Sequence, residues 1–282
     1  MKQYIFTILS FTISCLALSQ TRETDSVEAK KTTVTLATIY NSNANYYGQT
    51  TLEPLPYVLG NVSVKFLNGF FLSASAYKLV NVGSGISGAD LTAGFDFNLS
   101  KNLTSSLSYS RSFYPDNSLL LQATNLNTIS GSLAYDFKYF TSSFNVDYIP
   151  GQDGALFTTL NFSKSIDLGS LSSKDYFSID PSFSIVGGTQ RITTSEEVPP
   201  PSKGGGLFGQ LPLNKDKRKP EYKTVESTSF DLFSYNLKLP VSYNRTSYSI
   251  EAAYQGTILS NRFEGASNKP LSFFTLGFYY MF

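Results

Sequence analysis

From about residue 32 to Phe282 the chain repeats one pattern: large apolar side chains alternate with small or polar ones, in segments of strand length. A period of two puts successive side chains on opposite faces of an extended backbone, whereas a helix needs apolar residues three and four apart. The final ten residues, FFTLGFYYMF, show it most clearly, with Phe274, Leu276, Phe278, Tyr280 and Phe282 on one face. Twelve such segments can be marked, so the chain is predicted to be all-β.

The first segment, about 32 to 41, sets Val34, Leu36 and Tyr40 against Thr33 and Thr35. The second, about 57 to 66, sets Val58, Val62, Val64 and Phe66 against Asn61, Ser63 and Lys65. Leu67, Asn68 and Gly69 then suit a three-residue hairpin with Gly69 in the left-handed position. That turn pairs Phe66 with Phe70, Val64 with Leu72 and Val62 with Ala74, which carries the apolar face into the third segment. Ser100, Lys101 and Asn102 form a similar turn, in which Asn102 is expected to take the left-handed place. Later apolar faces carry Leu133, Tyr135 and Phe137, then Phe144, Val146 and Tyr148, then Phe233, Tyr235, Leu237, Leu239 and Val241. Pro181 and Pro240 fall inside strands and remove ladder donors, so bulges are expected there.

Alternation serves a soluble sandwich as well as a barrel, but the connections discriminate. Those after odd-numbered segments are long, at about 42 to 56, 80 to 89, 114 to 127, 150 to 154, 189 to 228 and 257 to 270. Those after even-numbered segments are tight, at Leu67 to Gly69, Ser100 to Asn102, Phe140 to Thr141 and Asn244 to Thr246, with 164 to 175 breaking the rule. Long loops at one end and short turns at the other are characteristic of transmembrane barrels. A mean hydropathy of −0.10 is compatible, because lipid-facing and lumen-facing residues average out along each strand.

The N-terminus has the form of an export signal: Met1 and Lys2 are followed by an apolar run from Tyr4 to Ser14, and Ala17, Leu18 and Ser19 precede Gln20. Residues 1–19 are read as a signal peptide and 20–31 as a short periplasmic tail. A second reading makes Cys15 a lipidated residue. Otherwise the mature chain has no cysteine, which leaves no disulfide or thiolate metal site.

Both ends together resemble bacterial outer-membrane β-barrel proteins of porin-like type. The resemblance implies a closed antiparallel up-and-down transmembrane β-barrel over 32–282, of about 12 strands with 10 or 14 also possible. It further implies Sec-type export and lipid and lipopolysaccharide as surroundings. In such proteins the terminal aromatic strand, here Phe274, Leu276, Phe278, Tyr280 and Phe282, is the insertion signal read by the barrel-assembly machinery. Tyrosines and phenylalanines near strand ends would form interfacial girdles, although tryptophan is absent.

On that reading the inner face is rich in serine and threonine and carries Asp90, Asp96, Asp136, Asp147, Asp180 and Glu251 against Lys65, Lys138 and Lys238. These nine are the candidate pore-lining residues, and the acidic excess favours cations. Structural roles compete, since carboxylates bonded to neighbouring serines and lysines also fix register. Asp136 and Asp147, on one hairpin, are candidates to approach diagonally. The long extracellular loop 189–228 carries Lys215, Lys217, Arg218 and Lys219, a basic run suited to anionic surface glycans or to solubility.

A net charge of +1 gives no broad basic face for nucleic acid. The absence of histidine removes the commonest general base and metal ligand, so no catalytic residue, metal or cofactor is expected. The expected function is a passive channel for small hydrophilic solutes, neutral or cationic. The alternative is a non-conducting surface barrel whose loops bind a partner, a glycan or a neighbouring surface.

Overall fold

The computed structural model describes residues 32–47, 50, 53–83, 85–115, 126–151, 154–197, 222–260 and 270–282, with only the backbone considered at 190–197 and 222–227. Residues 1–31, expected to hold a signal peptide and a short tail, and the basic run Lys215 to Lys219 therefore lie outside the described residues.

Fourteen strands are present: β1 (Thr33–Asn41), β2 (Tyr57–Lys65), β3 (Phe70–Leu79), β4 (Gly88–Asn98), β5 (Leu103–Phe113), β6 (Asn127–Asp136), β7 (Thr141–Ile149), β8 (Ala155–Ser163), β9 (Ile166–Gly169), β10 (Asp175–Ile179), β11 (Ser182–Glu197), β12 (Tyr222–Arg245), β13 (Tyr248–Leu259) and β14 (Leu271–Met281). From β1 to β8 each strand pairs antiparallel with the next, β8 pairs with β11, β11 with β12, and β12 to β14 return to β1. The result is a closed twelve-stranded antiparallel β-barrel with two extra strands, β9 and β10. Closure leaves none of the twelve with a bare edge along its barrel portion.

The extra strands explain the segment that broke the loop rule. Ser182 faces Ser163 on β11 and β8, and Ile179 faces Ile166 on β10 and β9, so one register runs through both pairs. β8 with β9, and β10 with β11, are two long strands interrupted at the same level. At the interruption the Lys164 N–H donates to the Pro181 carbonyl and the Asp180 N–H to that of Pro240, where two prolines side by side remove ladder donors. Neither proline carries the expected bulge: the strand is interrupted at Pro181 with the same register on both sides, β12 keeps an unbroken register with β13 through Pro240, and the register shift lies between Phe177 and Ser178 on β10. What looked like a long connection at 164 to 175 is hairpin, and its tip is capped by Asp175, which accepts from the Leu171 and Ser172 N–H groups and the Ser172 hydroxyl.

The first hairpin has the register expected of it: Val62 faces Ala74, Val64 faces Leu72, and the Phe66 N–H donates to the Phe70 carbonyl at 2.8 Å. Gly69 has φ 91°, and a Cβ there would lie 2.3 Å from the Asp96 carbonyl oxygen. Asn102 differs from expectation: among the described residues Tyr47 is the only non-glycine with positive φ. That turn closes instead through the Leu99 and Ser100 N–H groups, both donating to the Leu103 carbonyl. The β6–β7 turn lies earlier than expected, with the Phe137 N–H bonded to the Phe140 carbonyl, which puts Lys138 at the turn.

The large side chains of the predicted apolar face point outward and are exposed, among them Leu36, Val62, Leu91, Leu107, Leu133, Phe144, Leu237, Ile250 and Phe278. The terminal residues Phe274, Leu276, Phe278, Tyr280 and Phe282 belong to this outer face. Contacts divide the chain into residues 1–188 with 232–282, which hold the barrel, and a second unit at 189–231. The second unit contains the part of β11 from Thr189 and the part of β12 up to Asp231. Strand therefore occupies both ends of the stretch expected as loop 189–228.

Candidate functional site

The inner face of the barrel is the candidate site, and two rims orient it. The turn rim carries the hairpins after β2, β4 and β6; the loop rim carries the long connections. Nearer the middle, hydroxyls and amides tie adjacent strands: Asn61 on β2 donates to Ser73 and Ser75 on β3, both at 2.8 Å, and Thr92 on β4 bonds Ser110 on β5 at 2.8 Å. On the other side Thr257 donates to Asn236 at 2.6 Å, and Gln255 donates to Thr257 at 3.2 Å. Partnered in this way, buried polar groups fix the wall rather than destabilise it.

The candidate charges separate into pairs and single residues. The Lys65 ammonium lies 2.6 Å from Asp96, and Lys238 lies 3.6 Å from Glu251, which is 6% exposed. Asp90 stands between Ser75 and Ser112 in the ladder. Asp180 accepts from Ser178 at 3.0 Å, and Asp136 from Thr141 at 3.1 Å. Lys138 lies beside the Tyr139 ring at the turn. Asp136 pairs with Thr141 whereas Asp147 pairs with Ser130, so the two carboxylates occupy opposite ends of the hairpin and do not meet.

At the loop rim the inner face changes character. Ala37, Ile39, Ala44, Tyr57, Leu59, Tyr77 and Leu79 are buried together, with Leu55, Val82, Tyr114 and Tyr279 against them. A second cluster of Tyr46, Ile149, Phe157, Val186 and Phe233 forms on the far wall. Phe233, expected on the outer face, is 2% exposed and turns its ring to Phe157, centroids 5.8 Å apart. Gly188 makes this possible, since a Cβ there would lie 2.5 Å from Phe157 and 2.8 Å from Phe233.

The first loop, between β1 and β2, joins the two walls. Its root is held at β14, where the Ser42 N–H donates to the Phe274 carbonyl and the Ser42 hydroxyl accepts from the Phe274 N–H, both at 2.9 Å. Asn43 accepts from the Leu55 N–H at 2.7 Å, and Ala44 packs in the near cluster. Two residues on, Tyr46 belongs to the far cluster and the Tyr47 ring stacks on Phe157 at 4.2 Å. The Tyr47 hydroxyl donates to Asp147 at 2.5 Å, and the Ser234 hydroxyl donates to the Tyr47 carbonyl at 2.8 Å. In the ring of twelve strands β7 and β8 stand across from β1 and β2, so the loop bridges the interior. Burial raises the Tyr46 phenol far above its ordinary range and keeps it protonated. Tyr47 itself has φ 47°, a left-handed conformation that costs a non-glycine residue about 1–3 kcal/mol.

Sequence reasoning missed this loop-rim core. A signal for it exists in stretches where both strand faces are apolar at once, as in Ile39 with Tyr40, Tyr57 to Leu59, Tyr148 with Ile149, Leu156 with Phe157, and Phe273 with Phe274.

No protein-family model matches the chain, and no curated protein sequence matches it. Among solved structures, the KdgM porin aligns with a TM-score of 0.49 and 8% identity, over 88% of this chain and 99% of that one. An outer membrane channel from Pseudomonas putida F1 aligns at 0.47 and 11% identity over 92% and 100%. LpxR from Salmonella typhimurium aligns at 0.44 and 10% identity over 89% and 100%.

Proposed function

We propose that the chain is an integral outer-membrane protein, exported by a Sec-type route, whose barrel passes small hydrophilic solutes by diffusion. The supporting observation is the reversal of polarity across one wall: Leu133 is 44% exposed on the outside while Asp147 is 3% and Glu251 6% exposed within. A water-soluble barrel does not present a belt of large apolar side chains to solvent on all sides. In a bilayer that belt meets acyl chains, while the hydroxyl-rich interior supplies polar contacts along the path.

Charge sets the preference among solutes. Lys65 and Lys238 are neutralised by Asp96 and Glu251, so Asp90 and Asp147 leave the interior negative and favour neutral and cationic solutes. Lipopolysaccharide and phospholipid are the proposed surroundings, the aromatic terminal strand the mark for the assembly machinery, and Lys215 to Lys219 an outer contact for anionic glycans. We assign no enzymatic role to this histidine-free chain.

The packed loop-rim clusters favour a second reading, a closed barrel that displays its loops. Planar-bilayer recording of refolded protein separates the two. Discrete current steps with cation preference are the expected result; silence at every voltage would favour display.

A further inference from the structure

We infer that Tyr47 and Asp147 form the constriction that sets which solutes cross the barrel, so that the first loop, and not the longest one, is the selectivity element. This inference rests on the channel reading above.

Four observations carry it. The loop crosses from the wall that holds Ala44 to the wall that holds Phe157, so its tip lies in the path of any solute between the rims. It is anchored at both ends, through Ser42 to Phe274 at the root and through Ser234 to the Tyr47 carbonyl at the tip. Anchoring at Ser42 and at Tyr47 fixes where this part of the loop lies, a constraint that a loop lying freely at the rim lacks.

Charge is the third. Lys65 and Lys238 each face a carboxylate, but Asp147 accepts a hydrogen bond from a phenol, which orients the carboxylate without cancelling its charge. A negative group held beside a loop that bridges the interior discriminates by sign, because low-dielectric walls concentrate the field of a fixed charge. The aromatic faces of Tyr46, Tyr47 and Phe157 beside it limit size, with Tyr47 stacked on Phe157 at an interplanar angle of 8°.

The fourth is backbone strain. A tyrosine in the left-handed region persists only when its surroundings over-determine it, and such outliers gather at ligand clamps and switch regions. Here the surroundings are the two hydrogen bonds and the stacked ring. The solute class this constriction suits is small, hydroxylated and neutral or cationic.

The test uses the mature chain folded into bilayers and liposomes, with heat-dependent electrophoretic mobility confirming that each variant folds. Tyr47→Gly removes the ring at a backbone geometry glycine accepts, and should raise unit conductance several-fold and admit larger sugars in swelling assays. Tyr47→Phe keeps the ring and should keep the sugar size limit. Asp147→Asn should lower the cation-over-anion permeability ratio by about twofold, the effect of one screened charge near the path. If Tyr47→Gly does not fold, the selectivity of Asp147→Asn decides. A conducting wild type whose conductance, size limit and selectivity are all unchanged in the variants overturns the inference and leaves the channel standing. Silence of wild type and variants alike overturns the channel reading and the inference with it.

Discussion

Leu133→Arg should destabilise the bilayer-folded barrel by about 2–4 kcal/mol, the penalty for a cation near the middle of a lipid-facing wall. Leu133 lies near the centre of β6 and faces Phe144 on β7, and both side chains point outward and are exposed. The neighbouring Ser132 faces Asn145 on the inner side. Ser132→Arg adds the same charge to the same strand, one residue away, but inside an aqueous lumen it should change stability far less and alter ion selectivity instead. Urea titration of reversible folding in lipid vesicles measures both. Equal destabilisation by the two substitutions would mean that the faces do not differ in solvent, and a larger loss at Ser132 would mean that the wall is inverted.

The second large effect is steric. A Cβ on Gly94 would lie 2.4 Å from the Phe71 ring and 2.7 Å from the Ser108 Cβ, contacts that real side chains do not make. Phe71 and Gly94 face each other in the ladder, so the ring covers the place where a side chain is missing. Gly94→Val should destabilise by about 1–3 kcal/mol through overpacking, despite the higher strand preference of valine. Phe71→Ala in the same chain should recover part of that loss by vacating the ring's share of the space, while the Ser108 contact remains. Failure of the second substitution to rescue the first would show that the Phe71 ring is not the main obstacle, leaving the Ser108 contact. The device recurs: the Tyr77 ring lies over Gly88, Phe157 and Phe233 over Gly188, and Tyr279 over Gly277, so inward aromatics fit without thickening the wall.

The outer face was legible from sequence because its physical cause is local. Leu36, Val62, Leu72 and Leu133 must all meet one solvent, and a strict period of two records that in each strand separately. Hairpin register was legible where turn chemistry fixes it, as at Gly69; at Asn102 only the expected left-handed conformation is absent, because hydrogen bonds to the Leu103 carbonyl close the turn without it. Phe233 was misplaced because parity assumes an unperturbed strand, whereas a glycine on β11 left space for the ring within.

The candidate site was read only in part. Parity assigned nine charges to the inner face, but Lys138 lies at the β6–β7 turn, and Asp136 and Asp147 are remote from each other along the hairpin, both consequences of where that turn falls. The bridging first loop was missed for a different reason. Its tip contacts strands a hundred or more residues away, at Asp147 and Ser234, and no local periodicity records such a contact. Apolar runs on both faces near the loop rim were the available sign of a packed interior there.

Labelling along β6 tests the two-solvent wall most directly. Single cysteines at 129, 130, 132, 133, 134 and 135 in the bilayer-folded protein can each be offered a small charged thiol reagent, and each can carry a fluorophore exposed to brominated lipid. Positions 130, 132 and 134 should react from water, while fluorophores at 129, 133 and 135 should be quenched by lipid. Uniform reactivity, or quenching at 130, 132 and 134 in place of 129, 133 and 135, would contradict the two-solvent barrel.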